Sequence, residues 1–170
     1  MQLTQREGRH KLAEAKPKKG VGRQGPEPAA GSAQEYGAEC GGDGGVPYLS
    51  VVRGSARLTR ITLWHRDYVD GIQLETDEGV LPKIGGSGLH HDVKQDTFEL
   101  DPDEFLTGIT VDYWHYIDRI VFHTNKRNYG PYGGRGGRLS KNLTAPAGRK
   151  VVGFKGRHWQ LVDSIQLMIA

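Results

Sequence analysis

An aspartate entering an apolar run appears three times in this chain: Asp70-Gly71-Ile72, Asp118-Arg119-Ile120 and Asp163-Ser164-Ile165. A glycine cluster precedes each at a similar distance: Gly41-Gly42-Asp43-Gly44-Gly45, Gly85-Gly86-Ser87-Gly88 and Gly133-Gly134-Arg135-Gly136-Gly137. The period, in the forties, marks one supersecondary unit used three times. Such units bury their apolar faces only against one another, so the repeat predicts small layers around a shared core. Each unit supplies one acidic loop and one loop of nearly bare backbone. That pairing suits the binding of a neutral polyol better than it suits catalysis.

The units read as strands. Leu58 to Trp64 alternates at period two, and Val69 to Leu74, Thr97 to Leu100, Ile109 to Val111, Ile117 to Phe122, Val151 to Phe154 and Ser164 to Ile169 are short apolar or β-branched runs. Turn signals separate them at Asp77-Glu78-Gly79, Asp101-Pro102-Asp103 and Pro146-Ala147-Gly148. No stretch holds a 3.6-residue period, so the expected class is all-β, and the threefold repeat selects a prism over a sandwich or barrel. Trp64, Phe98, Phe122 and Phe154 are the expected aromatic core. Tyr129-Gly130-Pro131-Tyr132 reads as a structural turn with packed tyrosines. Residues 1–38, rich in Lys, Gly, Pro, Ala and Glu, offer little to bury and read as a disordered tail or linker before a domain at 39–170.

Several function classes are disfavoured. The net charge of +3 is mild and basic residues have acidic neighbours, so no nucleic-acid footprint is read. A single cysteine, Cys40, excludes an intrachain disulfide. No run approaches the ~18–20 apolar residues of a membrane span. Met1 to Glu7 lacks an apolar signal region, which favours a cytoplasmic location. Asn142-Leu143-Thr144 reads as an ordinary loop rather than a glycosylation site. His90-His91-Asp92 lacks a second ligand pair, so no metal and no cofactor is expected. No Ser or Cys sits in a nucleophile context, and a small prism hardly provides a glycosidase cleft, so an enzyme is not expected.

From Tyr36 to Ala170 the chain resembles the jacalin-related lectins. The resemblance is carried by the first glycine cluster, Val69-Asp70-Gly71-Ile72-Gln73, the stretch from Thr124 to Gly133 with its Tyr-Gly-Pro-Tyr-Gly, Gly153-Phe154-Lys155-Gly156-Arg157, and Leu161 to Ile165. It implies the β-prism I fold: three four-stranded antiparallel sheets with pseudo-threefold symmetry. It also implies metal-independent recognition of mannose- or glucose-type oligosaccharides or glycoproteins. The chain runs uncut through Gly41 to Gly45, whereas galactose-preferring relatives are cleaved at this loop.

Carried over by position, the resemblance places a sugar site at Gly45, Trp159, Gln160, Leu161 and Asp163, with Asp163 accepting from sugar hydroxyls and the 160 and 161 amides donating. The family pattern has glycine where this chain has Trp159, and that indole either stacks on a pyranose or closes the pocket. A second possible site combines Gly85 and Gly86 with Asp67, Tyr68 and Asp70. A third combines Gly137 with His115, Tyr116 and Asp118. Weak single sites would need several per prism or a homo-oligomer for avidity. The alternative is a glycan-silent domain, or one for sulfated glycans or acidic proteins, using Arg135, Arg138, Arg149, Lys150, Lys155 and Arg157 as a basic patch.

Overall fold

In the computed structural model, which describes residues 32–88 and 92–170, the period-two runs become strands, and no helix occurs among the described residues. The tail read at 1–38 lies outside the described residues as far as position 31, as do His90 and His91 of the dismissed metal motif. In chain order the strands are β1 (Gln34–Gly41), β2 (Val46–Val51), β3 (Leu58–His65), β4 (Val69–Thr76) and β5 (Gly79–Val80). Next come β6 (Ile84–Gly85), β7 (Lys94–Glu99), β8 (Leu106–Tyr113) and β9 (Ile117–Thr124). β10 (Asn128–Gly133), β11 (Leu139–Thr144), β12 (Val151–His158) and β13 (Ser164–Ile169) complete the chain.

Backbone hydrogen bonds group them into an eight-stranded and a five-stranded antiparallel sheet rather than three separate four-stranded ones. Two local causes account for the difference. The larger sheet is joined between β12 and β8 by one residue pair, Val151 with Leu106. On either side of that seam lie the four-stranded ladders β2-β12-β13-β1 and β11-β8-β9-β10. In the smaller sheet β5 and β6 both pair with β4, and Pro82 lies in the gap between them. Proline has no amide hydrogen to give a ladder, so this edge strand is broken in two.

Side chains alternate across each strand, and the inward set forms one core. Ile61 and Leu63 of β3, Ile72 and Leu74 of β4, Ile109 and Val111 of β8, Phe154 of β12 and Ile165 and Leu167 of β13 are all fully buried. Phe122 sits among aromatics, with ring centroids 5.4 Å from Phe98, 6.2 Å from Phe154 and 6.4 Å from Tyr132. Trp64 is a correction to the expected core. It is only half-buried, because the pleat that turns Leu63 inward turns Trp64 outward, where the Lys83 ammonium lies 3.5 Å over its ring. Tyr129 does pack, stacking on Phe98 at 4.0 Å, but its segment is the bulged strand β10 and not a turn. Asn142 likewise belongs to strand β11 rather than a loop, and its side chain bonds Thr110 of β8.

Truncating Phe122 leaves a cavity at the meeting point of three ladders. Phe122→Ala is expected to cost about 3–5 kcal/mol, read from the urea midpoint by circular dichroism.

Candidate functional site

Three edge strands end in glycines in the left-handed region: Gly41 (φ 124°) on β1, Gly85 (φ 75°) on β6 and Gly133 (φ 105°) on β10. The amide of the next glycine donates to an aspartate carbonyl in every case: Gly42 to Asp163, Gly86 to Asp70 and Gly134 to Asp118, each at 2.9 Å. A Cβ on Gly41, Gly85 or Gly133 would overlap that same carbonyl. On the other flank, a Cβ on Gly42, Gly86 or Gly134 would overlap the backbone carbonyl of His115, Gln160 or Asp67. Each glycine loop is therefore wedged between two acidic loops, and the contacts close a ring. Because of the ring, Gln160, His115 and Asp67 each buttress the glycine loop of a neighbouring unit. Asp67 and His115 were expected beside Gly85 and Gly137.

Side chains reinforce the ring. The Gly85 amide donates to His158 Nδ1 at 2.7 Å, and the Gly133 amide donates to His65 Nδ1 at 3.0 Å. His65 Nε2 holds Asp96 at 2.6 Å. His65 and His158 end β3 and β12, and the corresponding end of β8 is Tyr113, which contacts Cys40 of β1. None of these roles was readable beforehand, since the partners of His158 and His65 lie 73 and 68 residues away.

Asp163 precedes β13 and is 5% exposed. Its amide donates to the Arg157 carbonyl at 2.9 Å, and the Trp159 amide lies close enough to its carboxylate to favour the ionised form. A Cβ on Gly44 would lie 2.8 Å from Asp163 Oδ1, and one on Gly45 2.9 Å from Oδ2. Both oxygens thus meet backbone that leaves no room for a side chain. Arg157 fixes that backbone, its Nε donating to Gly44 O at 3.0 Å and its Nη2 to Gly45 O at 2.7 Å. The sequence offered Arg157 as part of a family motif and as a surface cation; its role as a clamp 112 residues away needed the fold. Ser164 Oγ accepts the Arg157 amide at 2.9 Å and donates to Glu39 at 2.5 Å, tying β1 to the same corner.

Trp159 is 70% exposed, and no atom of it lies within 4 Å of a Cβ built on Gly44. Its amide donates to Leu161 O at 3.1 Å in a tight turn that carries Gln160, while Leu161 is buried. Beside this corner Glu39, Asp43, Trp114, His115 and Arg157 border an open depression of about 540 Å³. Burial pushes the Asp163 carboxyl above the usual carboxylate range, opposed by His158, Arg157 and two backbone amides. Burial pulls His158 below the usual imidazole value, opposed by Asp163.

The other two candidate sites differ. At Asp70, Gly85 and Gly86 meet the backbone carbonyl as described, and Tyr68 packs edge-on against Tyr116 at 5.5 Å. Arg66, at the position of Trp159, pairs with Asp92. At Asp118 the glycine that faces the carboxylate is Gly136, whose Cβ would lie 3.1 Å from Oδ1. Gly137, the expected partner, instead packs on the backbone of Asp112 and Tyr113, because its loop folds back along β8. Lys150 precedes β12 and Arg157 lies near its far end, roughly 20 Å apart at 3.3 Å per residue. Lys155 pairs with Glu35, and Arg138 lies 5.1 Å over Trp114. Among the described residues no cluster of His, Cys, Asp and Glu could hold a metal ion.

The profile of the jacalin-like lectin domain matches residues 38–168. The chain belongs to the jacalin-like lectin family. Jacalin-related lectins are carbohydrate-binding, non-enzymatic proteins. Calsepa, a jacalin-related lectin of Calystegia sepium, is 33% identical over 87 residues, covering 48% of this chain and 56% of its own. Jacalin-related lectin 36 of Arabidopsis thaliana is 29% identical over 122 residues, covering 67% of this chain and 25% of its own. The chain thus spans about a quarter and just over half of these two relatives. Among solved structures, the mannose-binding lectin from Champedak superposes with a TM-score of 0.67 at 27% identity, covering 83% of this chain and 99% of its own. The artocarpin–mannotriose complex superposes with a TM-score of 0.66 at 25% identity, covering 82% and 99%.

The two shifted groups make opposite contributions to stability. Asp163 titrates above its unfolded value of 3.8, so its contribution falls as pH rises through that window and is least above the folded pKa. Asp163→Asn is therefore expected to raise the urea midpoint at neutral pH, with the gain shrinking as pH falls toward 3.8. His158 titrates below 6.5, so its contribution is complete above 6.5 and is lost as pH falls through the window beneath. Urea midpoints of wild type, Asp163→Asn and His158→Gln across pH check both signs.

Proposed function

We propose that this domain binds mannose- or glucose-type sugars reversibly and without metal, at the corner formed by Asp163, Gly44, Gly45 and the 159–161 turn. The observation that carries this reading is the placement of both Asp163 oxygens against the side-chain-free Gly44 and Gly45. An ionised carboxylate accepts two hydroxyl hydrogens at once, and such charge-assisted bonds are among the stronger ones. Bare backbone lets a ring approach the Gly45 amide closely. The amides of Gln160 and Leu161 donate to ring and primary-hydroxyl oxygens. Hydroxyl donors satisfy the carboxylate directly, so no cation is required between protein and sugar.

Trp159 belongs to this corner as a stacking plate. Its exposure supports stacking on the apolar face of a pyranose over closure of the pocket. The preference for mannose is supported by the uncut Gly41–Gly45 loop and by the sugars named for the Champedak lectin and artocarpin. The three four-stranded groups, linked in a ring at one end, are read as the faces of a pseudo-threefold prism. The domain at 39–170 then presents its sugar corner beyond a tail at 1–38. A shallow preformed site implies roughly millimolar affinity, about 4 kcal/mol, so glycoprotein binding gains from several sites or from a homo-oligomer.

Titration of methyl α-mannoside into the full chain, followed by tryptophan fluorescence, tests the reading. Saturable binding that survives EDTA, is lost in Asp163→Ala and weakens several-fold in Trp159→Ala is expected. Binding unchanged in Asp163→Ala, or abolished by EDTA, overturns it.

A further inference from the structure

We propose that neutral His158 is a positioning residue of the sugar corner. By accepting the Gly85 amide at Nδ1 it ties the 159–161 turn to a neighbouring glycine loop, and acid releases both the turn and the sugar. This rests on the Asp163 reading for its ligand and adds a residue that touches no sugar itself. Three observations carry it.

The first is where His158 sits. It is the last residue of β12, directly before the turn that carries Trp159 and Gln160. Its backbone pairs with Val46 of β2 and bridges to Val162. A Cβ on Gly45 would lie 2.5 Å from the His158 carbonyl oxygen and 2.9 Å from Asp163 Oδ2, so Gly45 is held between the two. His158 therefore stands at the root of both walls of the corner, the bare glycine and the acidic loop.

The second is what its ring holds. A backbone amide can only donate, so the 2.7 Å bond from Gly85 requires a lone pair on Nδ1 and leaves the ring proton on Nε2. One residue further on, a Cβ on Gly86 would lie 2.6 Å from the Gln160 carbonyl oxygen. Ring and turn thus grip one glycine loop at successive residues, His158 at Gly85 and Gln160 at Gly86. The Gly86 amide is itself anchored to the Asp70 carbonyl at 2.9 Å, which makes this loop a fixed post for the turn. A proton on Nδ1 turns the acceptor into a donor. An N–H then faces an N–H, and the turn that brings the Gln160 and Leu161 amides to the sugar loses its side-chain tie.

The third is the electrostatic setting. Asp163 acts on the ring from the loop before β13, and the Tyr48 ring of β2 lies 5.1 Å away, centroid to centroid. β6 brings no titratable side chain, and Lys83 just before it lies over Trp64. Arg157, the neighbour on β12, is turned to the Gly44 and Gly45 carbonyls. Burial favours the neutral ring, Asp163 opposes it, and the balance falls below 6.5. The tie is therefore complete above that value and is lost as pH falls through the window beneath. If sugar binds only the tied form, affinity drops about tenfold for each pH unit below the midpoint. His65 makes the same bond to Gly133, but that loop abuts Asp67 and Asp118 and not the 159–161 turn.

Amide- and imidazole-resolved NMR of the full chain, followed from neutral to mildly acidic pH without sugar, reads the tie itself. The His158 nitrogens and the Gly85, Gln160 and Leu161 amides are expected to titrate with one midpoint below 6.5. The amides lose that step in His158→Asn, whose Oδ1 replaces Nδ1 as an acceptor that takes no proton. Methyl α-mannoside affinity is expected to fall about tenfold over the pH unit beneath the midpoint in wild type and in His65→Asn. It is weak at every pH in His158→Ala, and His158→Asn rescues it with the step removed. A step that survives in His158→Asn belongs to the Asp163 carboxyl and overturns the proposal, as do Gln160 and Leu161 amides that ignore the His158 midpoint. Absence of sugar binding by wild type at neutral pH sinks the Asp163 reading instead, and amides that still follow His158 leave the tie between ring and turn standing.

Discussion

The contact on which this structure turns is a glycine laid against an aspartate carbonyl, made three times at one end of the molecule. The φ angles of Gly41, Gly85 and Gly133 and the room beside them exclude any side chain. The following amide then completes the hydrogen bond. Since each glycine loop also abuts the acidic loop of a neighbouring unit, the three close into a ring. Remove one, and the other two lose a wall.

The ring holds a carboxylate where a free chain would not leave it. Asp163 is buried beside backbone, and desolvation raises its pKa despite Arg157 and His158 nearby. A charge held this way costs stability, which the shared aromatic and aliphatic core offsets elsewhere. In return the acceptor is rigid and ready before a ligand arrives, so little ordering is needed on binding. Arg157 completes the arrangement by gripping the carbonyls of Gly44 and Gly45.

Much of the fold was legible because strands advertise themselves locally. Alternation at Leu58 to Trp64 and turn residues at Asp77 to Gly79 act over a few positions, so their strands appear where expected. The errors have equally local causes. Trp64 is large and apolar, but the pleat counts position and not hydrophobicity, so it faces out. Asn142 looks like loop material because an exposed edge strand needs no apolar alternation on its outer face. The break between β5 and β6 follows from Pro82, whose effect depends on which strand it would have paired with.

Taken alone, the sequence determined that three similar β units share one core, that each brings an Asp and a glycine cluster, and which family they resemble. It could do so because strand period and turn chemistry are written in neighbouring residues. Which glycine meets which carboxylate was decided only in three dimensions: Gly44 and Gly45 at Asp163, and Gly136 rather than Gly137 at Asp118. The clamp by Arg157 and the histidine links belong to the same class. They join residues dozens to more than a hundred positions apart, and only the closing of the ring brings such partners within reach of a hydrogen bond.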